Sequence, residues 1–301
     1  MKTAVKAVLQ NLASYVRMVH YPGLSAVQND YAQRRNGLPY SEFREPRAFS
    51  SGASNQKYVS VLMERAGIKA AEVASVLDLA SGVGNNLPTI TTTFKNATVI
   101  AGDICQGALT HSTQKHARLS PRVGYVRIDA FRLPFPDNLF DCIFATELME
   151  HISPERKSKL LLEIKRILKP GGHLIVTHPN YGGNLIGVIK RFADKQFGDQ
   201  IWNPGHSHFR EGGPEYPIEA VGSLDLLSEV GLNLRYCLGR NWVHGFLTPF
   251  IVDYSFDGKG IEKSLDKLVF RLTGYWLGTL LGLRTRMAYF GFVASKPASA
   301  G

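Results

Sequence analysis

The stretch VLDLASGVGNNLP, residues 76–88, decides how the rest of the chain reads. Val76-Leu77-Asp78-Leu79 is a short apolar run of the kind buried on both faces of a parallel sheet. It leads into Ala80-Ser81-Gly82-Val83-Gly84-Asn85, whose glycines let the backbone bend sharply and come close to a ligand, and this turn should open a helix. Four more strand-like runs follow: Thr98-Val99-Ile100-Ala101, Tyr125-Val126-Arg127-Ile128, Phe140-Asp141-Cys142-Ile143-Phe144 and His173-Leu174-Ile175-Val176. Between the last two, Pro154 to Leu168 sets Leu160, Leu161, Ile164, Ile167 and Leu168 on one helical face, and Lys169-Pro170-Gly171-Gly172 closes that helix. Strands alternating with helices in this rhythm predict a doubly wound α/β core with a mostly parallel sheet.

On either side of this core the rhythm differs. The first 20 residues read as an amphipathic helix, 36–55 as an irregular stretch and Gln56 to Ala66 as a second helix, giving an N-terminal helical arm over 1–72. After Asn180 about 50 residues pass before the strand-like Leu232 to Tyr236, and a second long gap precedes the alternating Met287 to Ala294. The domain therefore spans 73–301, with cap insertions at about 181–231 and 240–286. Residues 181–301 hold 18 of the 31 aromatic residues, which suits a cap with its own core around an apolar or aromatic ligand.

The chain has 301 residues, 44% hydrophobic and 20% charged, the composition of a soluble globular protein. Its formal charge of +10 is spread without a run of five like charges, and half of it falls before residue 76. That pattern fits a solvated basic surface better than the stripe of a nucleic-acid binder. Cys105, Cys142 and Cys237 lie far apart with no CxxC, so neither a disulfide framework nor a zinc site is expected, and the chain reads as cytoplasmic. No run approaches the ~20 apolar residues of a spanning helix. Leu265 to Leu283, flanked by Arg271, Arg284 and Arg286, offers a stretch for peripheral membrane contact, although a cap helix is the favoured reading.

Three strands end in an acid. Asp78 precedes the glycine turn, Asp103 follows the second strand 25 residues later, and Asp129 follows the third. Open α/β sheets bind ligands at the carboxyl ends of their strands, where carboxylates can take an ammonium group, ribose hydroxyls and an exocyclic amine. One such acid could be a helix cap, but three in matching places point to a nucleotide with an amino-acid tail. A dinucleotide fingerprint would need a third glycine where Leu87 stands, which weighs against a nicotinamide-dependent oxidoreductase.

VLDLASGVGNNLP (76–88), IAGDIC (100–105), RIDAFRLPFPDNLFDCIFATELMEHI (127–152) and LLLEIKRILKPGGHLIVTHP (160–179) together resemble the successive motifs of class I S-adenosylmethionine-dependent methyltransferases. The likeness is greatest to the branch of ubiquinone/menaquinone C-methyltransferases and natural-product O-methyltransferases. It implies a Rossmann-like seven-stranded sheet with the last strand antiparallel, and S-adenosylmethionine as cofactor. On matching positions it assigns Asp78, Ala80, Gly82 and Gly84 to the methionine portion, Asp103 and Ile104 to the ribose, and Asp129 and Ala130 to the adenine. Glu147 joins this cofactor set from a loop that faces the transferred methyl in similar enzymes. Ala80 departs from the pattern, standing where the family usually has glycine.

Methyl transfer from a sulfonium is a direct displacement that needs alignment, and a hydroxyl acceptor also needs a base. Histidine is the default base near neutral pH, and His151, His178, His206 and His208 are the candidates, with His244 the weakest. Those histidines favour oxygen over carbon in a small organic acceptor such as a natural product, sugar, quinone or lipid-like molecule. Nucleic-acid amine methylation is set aside, because the loop after the fourth strand reads Ala145-Thr146-Glu147-Leu148 in place of the N/D-P-P-Y/F that holds a flipped base. A methyltransferase fold kept as a binding or assembly module is the other reading, and nothing in the sequence fixes an oligomeric state.

Overall fold

A computed structural model describes residues 52–119, 122–180, 218–240 and 289–298. Seven strands form one sheet: β1 (Ser75–Leu79), β2 (Thr98–Asp103), β3 (Val123–Arg127), β4 (Phe140–Thr146), β5 (Leu168–Pro179), β6 (Asn233–Arg240) and β7 (Tyr289–Ser295). Their spatial order is β3-β2-β1-β4-β5-β7-β6. The ladders from β3 through β5 are parallel, whereas β7 runs antiparallel to both β5 and β6. The expected doubly wound, Rossmann-like seven-stranded sheet with its last strand antiparallel is the observed one.

The helices are α1 (Gly52–Arg65), α2 (Leu87–Thr93), α3 (Gln106–Lys115), α4 (Pro154–Ile167) and α5 (Ala220–Val230). Side chains alternate across each strand, so each strand feeds two layers. On one face Val76, Phe144, Ile175 and Val293 pack with Tyr58 and Leu62 of α1 and with Leu87 and Ile90 of α2. On the other, Leu77, Ile143, Val176 and Phe292 pack with Leu160, Leu161, Ile164 and Ile167 of α4 and Leu227 of α5. The apolar stripe read from residues 154–168 is the α4 side of that layer.

Two boundaries differ from the sequence reading. Lys169-Pro170-Gly171-Gly172 is strand as well as punctuation, because β5 begins directly after α4. Gly171 takes φ +76° and donates to the Lys296 carbonyl at 2.9 Å, while Lys296 donates back to Gly172 at 3.1 Å, so the last strand's end captures this turn into the ladder. The second difference is that α1 and α5, read as arm and insertion, each cover a face of the sheet. α5 is tied to α4 by Ser158 Oγ donating to Glu229 at 2.9 Å and Lys165 Nζ donating to the Val230 carbonyl at 2.7 Å. The first-20-residue helix, the remaining cap segments, His206, His208, His244 and Leu265 to Leu283 lie outside the described residues. Among those described, no helix is long and apolar enough to cross a membrane.

The chain places β2 and β3 on one side of β1 and β4 and β5 on the other. The carboxyl edge between β1 and β4 is thus a topological switch point, where open sheets part to leave a crevice.

Candidate active site

Asp78 is the second-last residue of β1 and only 1% exposed. Asn86 Nδ2 reaches its Oδ1 at 3.5 Å and donates to Thr146 Oγ1 of β4 at 2.7 Å, bridging the two sides of the crevice. Asp78 Oδ2 is buried and finds no hydrogen-bond donor among the described residues. Burial, with a further push from the Asp103 charge and against the Asn86 hydrogen bond, raises its pKa to about 7. A buried carboxylate oxygen without a donor fits a ligand cation, which would supply both the hydrogen bond and the charge.

The turn after Asp78 takes left-handed conformations at Ala80 (φ +58°), Gly82 (φ +52°) and Gly84 (φ +73°). At Gly82 an added Cβ would meet nothing within 4 Å, whereas at Gly84 it would fall 2.3 Å from Ser112 Oγ and 2.7 Å from Leu87 Cδ1. One glycine keeps space open and the other lets the turn pack on α3. Ala80 has the wrong geometry for a residue with a Cβ, at a cost of about 1–2 kcal/mol. Ala80→Gly is expected to raise the unfolding free energy by about 0.5–1 kcal/mol in urea titrations, the relief of strain exceeding glycine's entropy cost. A loss of stability would show that the Ala80 methyl group contributes packing greater than the strain.

Asp103 ends β2 and is buried. Its Oδ2 accepts the Gly82 N–H at 2.8 Å and its Oδ1 the Cys105 N–H at 2.8 Å, so the carboxylate ties the glycine turn to the second strand. Ile104, beside it, is 46% exposed, an apolar surface at the strand end. Asp129 is exposed beyond β3 and accepts the Phe131 N–H at 2.9 Å, the turn-forming role that any one of these acids could have had. Ala130 follows it, half-buried.

Glu147 stands just past β4 at φ +53° and donates its N–H to the Thr177 carbonyl at 2.8 Å. Thr177 Oγ1 donates to Glu147 Oε1 at 2.7 Å, and the Tyr289 hydroxyl donates to the same oxygen. Asn86, Thr146, Thr177 and Tyr289 escape a reading by motif. Their signal is topological, since only the strand order reveals that the ends of β1, β4, β5 and β7 are neighbours.

His178 corrects the sequence reading. It is fully buried among Phe290, Phe292 and α5, on the opposite face of the sheet from Thr177. Its Nδ1 donates to the Pro179 carbonyl at 2.7 Å, which leaves Nε2 as the ring's acceptor, 3.2 Å from the Ser223 hydroxyl. Burial lowers its pKa to about 4, with the nearby Lys157 adding to the effect and the Pro179 hydrogen bond opposing it. A histidine so placed is a neutral core residue, too weak and too enclosed to deprotonate an acceptor. His151 is half-buried in a one-turn helix, Met149–His151, at the open edge. Among the described residues no group of three His, Cys, Asp or Glu could hold a metal ion.

Residues 76–172 match the family model of the methyltransferase domain. A ubiquinone/menaquinone biosynthesis C-methyltransferase of Pseudomonas fluorescens (strain Pf0-1) is 31% identical over 133 residues, covering 42% of this chain and 49% of the relative. The chain thus spans about half the length of the curated relatives it matches. Among solved structures, a Burkholderia thailandensis 1,6-didemethyltoxoflavin-N1-methyltransferase with bound 1,6-didemethyltoxoflavin and S-adenosylhomocysteine superposes with a TM-score of 0.55 at 14% identity, covering 91% of this chain and 88% of its own. The [4+2]-cyclase SpnF superposes with a TM-score of 0.51 at 19% identity, covering 81% of each chain. At those identities the superpositions speak for the fold, and SpnF is a reminder that one fold carries more than one reaction. Through residues 76–172 and the sheet that carries them, the chain is thus similar to the methyltransferase domain of S-adenosylmethionine-dependent enzymes.

Proposed function

We propose that the chain transfers a methyl group from S-adenosylmethionine to a small organic acceptor. The observation that carries this reading is the buried Asp78 Oδ2, which lacks a donor among the described residues at the switch point of the sheet. An amino-acid ammonium is the group that oxygen is suited to take. Asp103 would accept the ribose hydroxyls, Ile104 and Ala130 would flank the base, and Asp129 would accept its exocyclic amine. Gly82 would let the backbone approach. The cofactor supplies an electrophilic sulfonium methyl; the chain orients it and excludes water.

The strand order divides the work. β1, β2 and β3 lead to the proposed cofactor acids, while β4 and β5 end, and the antiparallel β7 begins, on the other side of the switch point, where the acceptor would lie. The histidine argument for an oxygen acceptor loses His178, and the matched relatives named as C-methyltransferases support a carbon acceptor on a quinone-type ring. Hydroxylated rings reconcile the two, because removal of a ring hydroxyl proton raises nucleophilicity at oxygen and at the adjacent carbon alike. The base would come from the β4 loop, where His151 stands, or from His206 and His208.

Incubation with methyl-labelled S-adenosylmethionine and a panel of catechols and quinols is expected to label an acceptor, with mass spectrometry separating C- from O-methyl products. Gly82→Arg is expected to abolish cofactor binding, measured by calorimetry, at a stability cost of about 1–2 kcal/mol from the left-handed φ of +52°, since the added side chain itself meets open space. Cofactor binding with no label on any acceptor would favour the binding-module reading.

A further inference from the structure

Beyond the cofactor half of the edge, a second polar cluster joins β4, β5 and β7. Glu147 Oε1 takes hydrogen bonds from both Thr177 and Tyr289. Thr177 is fully buried, whereas Glu147 and Tyr289 are half-buried, so the pair stands where the core meets the open edge. The Tyr289 ring lies edge-on to Tyr58, with centroids 5.9 Å apart, and the fully buried Tyr58 is itself anchored by its hydroxyl to the Leu238 carbonyl. Glu147 holds a left-handed conformation that residues with a Cβ rarely adopt, secured by its backbone bond to Thr177. Strain of this sort persists where the surroundings over-determine it, and such places cluster at active sites.

We propose that Tyr289 and Glu147 form a proton relay for an acceptor bearing a phenol-type hydroxyl, an inference that rests on the methyltransferase reading and gives it an acceptor class. The acceptor O–H bond breaks as its proton passes to the Tyr289 oxygen and the Tyr289 proton passes to Glu147. The electron pair released forms the new bond to the methyl carbon, from the oxygen or from the adjacent ring carbon. The methyl–sulfur bond breaks with its pair retained by sulfur, which becomes a neutral thioether. After attack from carbon, that carbon's own hydrogen leaves to water and the ring regains aromaticity. The net transfer runs from a phenol of pKa about 10 to a carboxylate of about 4, uphill by roughly six units, so it goes forward only as the bond to the methyl carbon forms, and an aliphatic alcohol would be a much poorer partner. The relay therefore selects phenols over sugars.

The test compares catechol with 4-nitrocatechol, which is already ionised at pH 8 and needs no proton removed. Tyr289→Phe keeps the ring against Tyr58 and deletes only the hydroxyl. With the full chain, labelled methyl transfer to catechol is expected to fall by about 100-fold in kcat with KM little changed, while transfer to 4-nitrocatechol falls less than about threefold. Glu147→Gln should show the same selective loss, and S-adenosylhomocysteine affinity by calorimetry should stay within about twofold in Tyr289→Phe. Equal losses on both acceptors, no loss on catechol, or transfer to neither by the unaltered chain would overturn the relay. Selective loss on catechol in His151→Ala, with Tyr289→Phe unaffected, would give the role to His151 instead. Failure of the cofactor reading is separate, and would appear as no binding of S-adenosylhomocysteine to the unaltered chain.

Discussion

Asp78→Asn is expected to weaken S-adenosylhomocysteine binding by about 100-fold at pH 7.5 while making the ligand-free protein more stable, because one carboxylate serves the ligand at the expense of the fold. Burial raises the Asp78 pKa from 3.8 to about 7, so the folded state holds a proton that the unfolded state has released between those two values. Stability from this group is complete below pH ~4 and is lost as pH rises through ~7. The full span is worth about 4 kcal/mol. Thermal unfolding of the ligand-free chain should therefore show a midpoint that falls between pH 5 and about 8, and Asp78→Asn should flatten that fall and raise the midpoint at the alkaline end. Ligand affinity runs the other way. It should improve about tenfold per unit as pH rises toward 7, as Asp78 ionises, and decline once the ligand's own amine loses its proton near pH ~8. An Asp78→Asn protein that binds normally, or whose midpoint keeps the pH dependence of the parent, would remove Asp78 from the site.

Gly84→Val should be the most damaging change in the glycine turn, lowering stability by about 3–5 kcal/mol in urea titrations. Two costs combine. The residue sits at φ +73°, which a β-branched side chain tolerates poorly. Its Cβ would also overlap Ser112 Oγ, Leu87 Cδ1 and His116 Cδ2, the last at 2.9 Å, so three side chains must move within a packed layer. Gly82 offers the contrast: substitution at 82 should remove ligand binding at the cost of backbone strain alone, and substitution at 84 should add steric overlap to that strain. A Gly84→Val protein as stable as the parent would mean that the turn can move away from α3 at little cost.

The β-α rhythm of residues 73–180 was legible because the central strands β1 and β4 are buried on both faces and α4 carries a clean apolar stripe. The placing of three acids at strand ends was legible for a related reason: Asp78, Asp103 and Asp129 occupy repeated positions relative to strands that the apolar runs already reveal. His178 misled because a histidine after a strand looks the same in sequence whether it faces the edge or the core. Only the pairing of β5 with β7 shows it enclosed by Phe290 and Phe292. Tyr289 was invisible for the converse reason, since β7 lies over a hundred residues from β4 and the contact with Glu147 exists only once the last strand inserts beside β5. The sheet faces covered by α1 and α5 were hidden by the long stretches without a strand-helix rhythm that precede those helices in the chain.

The acids at the ends of β1, β2 and β3 are proposed to bind S-adenosylmethionine. Calorimetric titration of the full chain and of Asp103→Asn, with S-adenosylmethionine and NAD as alternative ligands, tests it most directly. The prediction is saturable one-to-one binding of S-adenosylmethionine that weakens at least about tenfold in Asp103→Asn, with no binding of NAD. Binding of NAD in its place, or S-adenosylmethionine binding untouched by Asp103→Asn, would contradict it.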